Sequence, residues 1–214
     1  MLRMGLFLAM SGVIGAREES VVDALRAYAA DNGRSLEEAE LTTEDGGCLV
    51  IRGGAAGVTV LYPGDFLDWD GAAQYLSRRL GKPVFSFHIH DSDLWMYSLY
   101  DMGDTVDQFN PVPDYWGELE EDERRSLQGN ASEVARRVPG LSAEQISNYL
   151  VRWGAGVFEP GQRRRAYPTD RFCYGDDWQL LDFMSKLGLT CPADDRGAVC
   201  GAAYRFRGQA GRAG

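Results

Sequence analysis

The order of apolar patterns along the chain predicts an α+β fold. It is an antiparallel sheet with two helices on one face, followed by a helical extension. Three observations carry that expectation. Strand-like and helix-like runs follow the order β-α-β-β-α-β-β-β over residues 1–116, and the first six match a ferredoxin-like split βαβ sandwich. The run from Pro83 to Trp116 holds the densest strand signal, with period-two alternation and many aromatic side chains. Beyond Trp116 the pattern becomes charged and helical. The expected organisation is therefore a sandwich core over 1–116, a helical extension packed on it over 117–190, and a poorly ordered tail over 191–214.

Each element has a local reason. Met1–Gly15 is apolar but interrupted by Gly5, Ser11, Gly12 and Gly15, with a single basic residue at its start. That reads as a buried first strand at Gly5–Met10 rather than a signal peptide. Arg17 to Asn32 repeats Val21, Leu25 and Tyr28 at helical spacing, and Gly33 stops it. Arg34–Gly47 is polar and acidic and reads as an exposed connection. Cys48–Arg52 and Gly57–Tyr62 flank Gly53–Gly54 as a hairpin. Asp68 opens a second helix that runs to Leu80 and stops at Gly81. Val84–His90, Leu94–Asp101 and Thr105–Phe109 are three strands with turns between them. Further on, Leu119–Leu127 reads as a helix. Asn130 with Glu133, and Ser142 with Gln145, carry capping-box spacing. Asp176 or Asp177 caps a last helix to Leu187, with Trp178, Leu181 and Met184 on its apolar face. Ala193–Gly214 is rich in Gly, Ala and Arg.

The 214 residues carry a net charge of −10. Residues 1–120 hold 20 acidic against 8 basic side chains, and residues 121–214 hold 12 against 14. An acidic first part repels phosphate backbones, so nucleic acid is not an expected partner. Arg163–Arg165 is the one compact basic cluster and reads as a solvated turn. No run reaches the apolar length of a membrane span, so no membrane is expected and a cytoplasmic location is. Cys48, Cys173, Cys191 and Cys200 show no CxxC spacing, so they read as reduced thiols rather than a zinc site.

Two stretches carry candidate chemistry. In His88–Ile89–His90–Asp91, alternation places both imidazoles on one face of a strand, roughly 7 Å apart at the backbone. His88, His90 and Asp91 supply nitrogen and oxygen donors suited to zinc, iron or manganese. The plainer reading is a half-exposed sheet face with ordinary packing. The second stretch runs from Asp107 to Trp116. Pro111 and Pro113 stiffen it, and Phe109, Asn110, Asp114, Tyr115 and Trp116 form a rigid, aromatic, acidic loop that can bind a partner. Its plainer reading is a joint that pins the helical extension to the sheet. No thiol–histidine signature, P-loop or complete acid–base pair is present. The pairs Asp68 with Asp70 and Asp91 with Asp93 read as caps and turns.

The runs Asp93–Tyr100 and Val106–Trp116 resemble a strand-and-loop pattern of uncharacterised bacterial proteins, "W-x-x-x-L-y" followed by "v-D-x-F-n-x-x-P-D-y". The resemblance implies a shared strand–turn–strand–loop core and carries no activity. The expected function is a non-catalytic protein-binding or regulatory protein with a basic protein partner and no cofactor. One form of it is an immunity-type protein that neutralises that partner. The alternative is a metal-dependent hydrolase in which His88, His90 and a nearby Asp hold a divalent metal. A third is a small-ligand sensor that uses the concave face of the sheet.

Overall fold

A computed structural model of the chain describes residues 5–41, 47–154 and 163–208. The strands are β1 (Leu8–Ile14), β2 (Arg34–Ala39), β3 (Leu49–Gly53), β4 (Gly57–Leu61), β5 (Val84–His90), β6 (Leu94–Asp101), β7 (Asp104–Phe109) and β8 (Ala202–Gly208). The helices are α1 (Glu18–Asp31), α2 (Trp69–Leu80), α3 (Glu121–Ser126), α4 (Ala131–Arg137) and α5 (Gln179–Lys186). The fold is α+β. Its eight strands form one sheet in the order β2-β8-β3-β4-β1-β5-β6-β7, and every neighbouring pair is antiparallel.

Alternation along the strands sends side chains to two separate cores. On one face, Ala9, Val13, Val58, Val60 and Val84 pack with Val21 and Leu25 of α1 and with Ala72 and Leu76 of α2. On the other, Met10, Ile14, Phe85, Phe87, Trp95 and Leu99 meet Val134 of α4 and Leu180, Phe183 and Met184 of α5. The second core is aromatic. Phe183 stands 5.2 Å from Trp95, 5.5 Å from Tyr97 and 5.6 Å from Tyr149, ring centre to ring centre. Both cores are mainly apolar, with Ser11, Thr59 and Gln179 among the few polar side chains buried beside them, and at ~1.5–3 kcal/mol per buried large side chain they supply most of the drive to fold.

Three expectations need correction, and each has a physical reason. The first strand begins at Leu8 and runs through Ser11 and Gly12, not over Gly5–Met10. Gly12 leaves room for the core beside it, because a Cβ there would stand 2.5 Å from Leu189 Cδ1 and 2.8 Å from Phe87 Cε2 and would force those side chains to shift. Ser11 is satisfied by a 2.8 Å hydrogen bond to the Tyr62 hydroxyl. Second, the polar segment after Gly33 is not an exposed connection throughout, because Arg34–Ala39 is the outermost strand β2. An edge strand buries one face at most, and here Leu36 is its buried residue. Third, residues 202–208 of the expected tail form β8, which pairs with β2 and with β3. The sheet is therefore larger than the sequence pattern predicts, and it takes an interior strand from beyond residue 190. Residues 209–214 of that tail lie outside the described residues.

Smaller differences follow the same logic. α5 buries Leu180, Phe183 and Met184, so its inner face is turned from the Trp178–Leu181–Met184 stripe. Trp178 stands at its N-cap, with its N–H donated to Asp176 Oδ1. Asp68 precedes α2, but its carboxylate does not cap the helix and instead accepts from the Tyr28 hydroxyl. Ser142 and Gln145 do form a capping box, around a single 3-10 turn rather than an α-helix.

Candidate functional site

The two helices α1 and α2 leave half of their sheet face open. Pairing sets the floor of this part: Ser86 lies opposite Ser98, His88 opposite Met96, and Ser98 opposite Gln108. A cleft of about 440 Å³ sits on this floor. Trp69 and Asp70, the first residues of α2, wall it on one side. The segment Pro113–Leu119, with Asn110 and Leu127, walls the other.

The histidine strand and the proline–aromatic loop, separate in the sequence, meet here. The Trp69 ring lies 4.7 Å from the His88 ring, His88 lies 5.5 Å from His90, and His90 lies 5.0 Å from Trp116. Phe7 and Tyr115 close on His90 at 5.0 and 5.6 Å. These rings form a continuous row from the start of α2 to the loop. Trp116 is 59 % exposed, unusual for a tryptophan, and is the row's open end.

The loop is rigid because its polar groups are used. Asn110 Oδ1 accepts from the Val112 N–H at 2.8 Å, closing an Asx turn. Asp114 accepts from the Leu119 N–H at 2.9 Å and from Arg124 Nε at 2.9 and 3.0 Å. Those bonds, the Leu119 N–H first and the Arg124 guanidinium next, hold its carboxyl below the usual range. The Tyr115 hydroxyl donates to Asp93 across the β5–β6 turn, and that bond pushes the phenol up to about 12. Of the five loop residues read as a binding set, Phe109 and Asn110 are buried. Phe109 packs on Trp95 and Tyr97 and lines the cleft from below. Asp114 and Tyr115 brace the loop. Trp116 presents itself to solvent.

The metal candidates are only partly brought together. His88 and His90 share a face, as alternation requires. The Asp91 carboxylate points toward the N-terminal segment: a Cβ on Gly5 would meet its Oδ1 at 1.8 Å. Asp91 and Ser92 hold φ of 52° and 58°, the left-handed pair of a tight hairpin turn. Among the described residues, no group of three His, Cys, Asp or Glu side chains is placed to hold a metal ion. Burial first, and His90 second, pull His88 down to about 4, with Asp70 opposing. The imidazole is therefore neutral at pH 7. No thiol reaches it. Cys191 bonds Met10 Sδ on the opposite face of the sheet, and Cys48 is buried beside Arg205.

The sequence does not single out Glu118 and reads Asp70 only as a cap or turn residue paired with Asp68, yet both line the cleft. Nothing local links residues 69–70 to 116–118. Met96, Ser98 and Gln108 were legible in principle, by extending the parity of His88 across two strand pairs. The lining combines aromatic rings, two carboxylates and short polar groups, and includes no Lys or Arg. Such a lining has the chemistry to contact a ligand through rings, carboxylates and amides. It holds no assembled nucleophile and base. No helix among the described residues is long and apolar enough to cross a membrane. Comparison with protein-family models, curated proteins and solved structures found no match to the chain.

Proposed function

We propose that this is a non-catalytic cytoplasmic binding protein that captures a basic protein partner on the open half of its sheet. One observation carries the reading: a preformed cleft that joins exposed Trp116 to Trp69 and carries Asp70 and Glu118 with no cationic side chain in its lining. Tryptophan supplies contact area at low entropic cost, and binding surfaces concentrate their energy in such anchors. The net charge of −10 adds long-range attraction for a basic partner. An immunity-type protein, which neutralises a basic toxin by covering it, is one form of this activity.

The test is affinity capture from the native host with wild type and Trp116→Ala side by side. One basic protein is expected to be retained by the wild type, with its affinity lowered by about thirtyfold, or ~2 kcal/mol, in the variant. Equal retention by both proteins would remove the cleft from the interaction.

The strand relations also support a finer reading of the fold. β4, α2 and β5 form a crossover around β1, and the chain returns from β1 through α1 and β2 to β3 across β4. This supports a ferredoxin-like core β3-β4-β1-β5 widened on both sides. The second functional reading is a divalent metal held by His88 and His90, in a hydrolase. The approach of the two rings to 5.5 Å and the neutral state of His88 favour it. It expects stoichiometric metal in protein purified without added metal, lost in His88→Ala. Metal-free protein that binds none on addition would remove it.

A further inference from the structure

We propose that the cleft recognises an arginine side chain of the partner, taken between Trp69 and Trp116 with Asp70 and Glu118 as its counter-charges. This rests on the binding reading above and names the chemistry of the contact. Four features of the lining point to a flat cation. The ring row from Trp69 through His88 and His90 to Trp116 joins the two walls of the cleft, and Trp69, His88 and Trp116 present their rings in its lining. A guanidinium stacks on such rings and is attracted by their quadrupoles. Asp70 and Glu118 both line the same space. Glu118 feels the charge of Arg124 but has no ion pair or hydrogen bond of its own among the described residues, and Asp70 accepts only a long bond, 3.5 Å, from the Tyr100 hydroxyl.

The remaining lining agrees. His88 is neutral at pH 7, so the floor sets no positive charge against a cation. Ser86 and Gln108 add side-chain oxygens at the floor. An anion would face two carboxylates with no cation among the lining residues to hold it. A neutral sugar would use the rings and amides but leave both carboxylates uncompensated. Arginine uses rings, carboxylates and oxygens together, and its five donors match them better than the point charge of lysine. The wall is already braced through Asp114 and Tyr115, so little ordering cost falls on binding.

The experiment uses the full chain and three small probes: Nα-acetyl-arginine methylamide and the corresponding lysine and citrulline compounds. Citrulline keeps the shape of arginine and removes its charge. Binding is read from the indole N–H resonances of the five tryptophans. The arginine probe is expected to shift the Trp69 and Trp116 indoles with millimolar affinity, and citrulline to bind about tenfold more weakly. Asp70→Asn and Glu118→Gln are each expected to weaken the arginine probe about fivefold while leaving the remaining spectrum unchanged. Citrulline binding as well as arginine, with the same indoles shifted, would overturn the proposal and leave a cleft that binds. No shift with any probe, while capture of the partner still depends on Trp116, would overturn it and leave the binding reading in place. No shift and no dependence of capture on Trp116 would overturn both.

Discussion

At the scale of single residues, the site is governed by which polar groups are already occupied. Tyr115, Asp93, Asp114 and Arg124 spend their hydrogen bonds on one another and on the loop, so they brace rather than bind. Trp116 has no such duty. Replacing it by Ala is expected to change folding stability by no more than about 0.5 kcal/mol, read from urea denaturation, because a side chain this exposed adds little to the core. His88 is the pH-sensitive group of the cleft. Its pKa is lowered on folding, so its neutral form is favoured in the native state, and it costs stability as pH falls from about 6.5 toward 4. A ring-proton titration should place its midpoint near 4, and a midpoint above 6 would show the ring to be solvated. Asp177 behaves in the opposite sense. Burial, with Asp176 beside it, pushes it up to about 6, and its Oδ2 has no hydrogen-bond partner. Here the native state holds the proton more tightly than the unfolded chain, so stability is lost as pH rises from about 4 to 6. Asp177→Asn should therefore be more stable at pH 7 by roughly 1 kcal/mol and should match wild type below pH 4.

At the scale of elements, the strands around the site were legible and the outer sheet was not. Val84–His90 and Leu94–Asp101 follow from alternation alone, because a face packed against a core forces a clean period of two. β2 and β8 hide for the converse reason. Their residues are exposed or half-buried apart from Leu36 and Ala203, so charge and small residues replace the apolar pattern. Pairing across about 170 positions places them together, and no local signal encodes that. The site divides in the same way. The facing of His88 and His90 and the stiffness of Pro111–Pro113 could be read directly. The meeting of Trp69 with the row could not, since helical spacing sets Trp69 in one apolar stripe with Ala72, Ala73 and Leu76. The clasp of the 110–119 segment belongs to this scale too. Asp114→Ala removes the acceptor of both Leu119 and Arg124. It should speed amide exchange over residues 114–124 and weaken the partner, with Trp116 itself intact. Unchanged exchange there would show the loop to be held by its prolines alone.

At the scale of the whole molecule, one sheet separates two cores and carries one uncovered half-face. The layer built around Phe183 fixes the C-terminal helices on one side, so Phe183→Ala is expected to cost about 3–5 kcal/mol in urea or thermal denaturation. The β7 edge is partly closed by the chain after α3: Gly129 N–H donates to Gln108 O at 2.8 Å, and Asn130 N–H to Asp107 Oδ2 at 3.0 Å. The β2 edge carries Arg34, Glu37 and Glu38, charges that discourage pairing with another chain. With one edge partly closed and the other guarded, the cleft on the open part of that face is the surface we propose for recognition. Amide hydrogen exchange of the protein alone and in complex with its captured partner tests this most directly. Protection gained over residues 113–119 and at the start of α2, and absent at β2, is the predicted result. Protection confined to β2 and β8, with residues 113–119 unchanged, would contradict it.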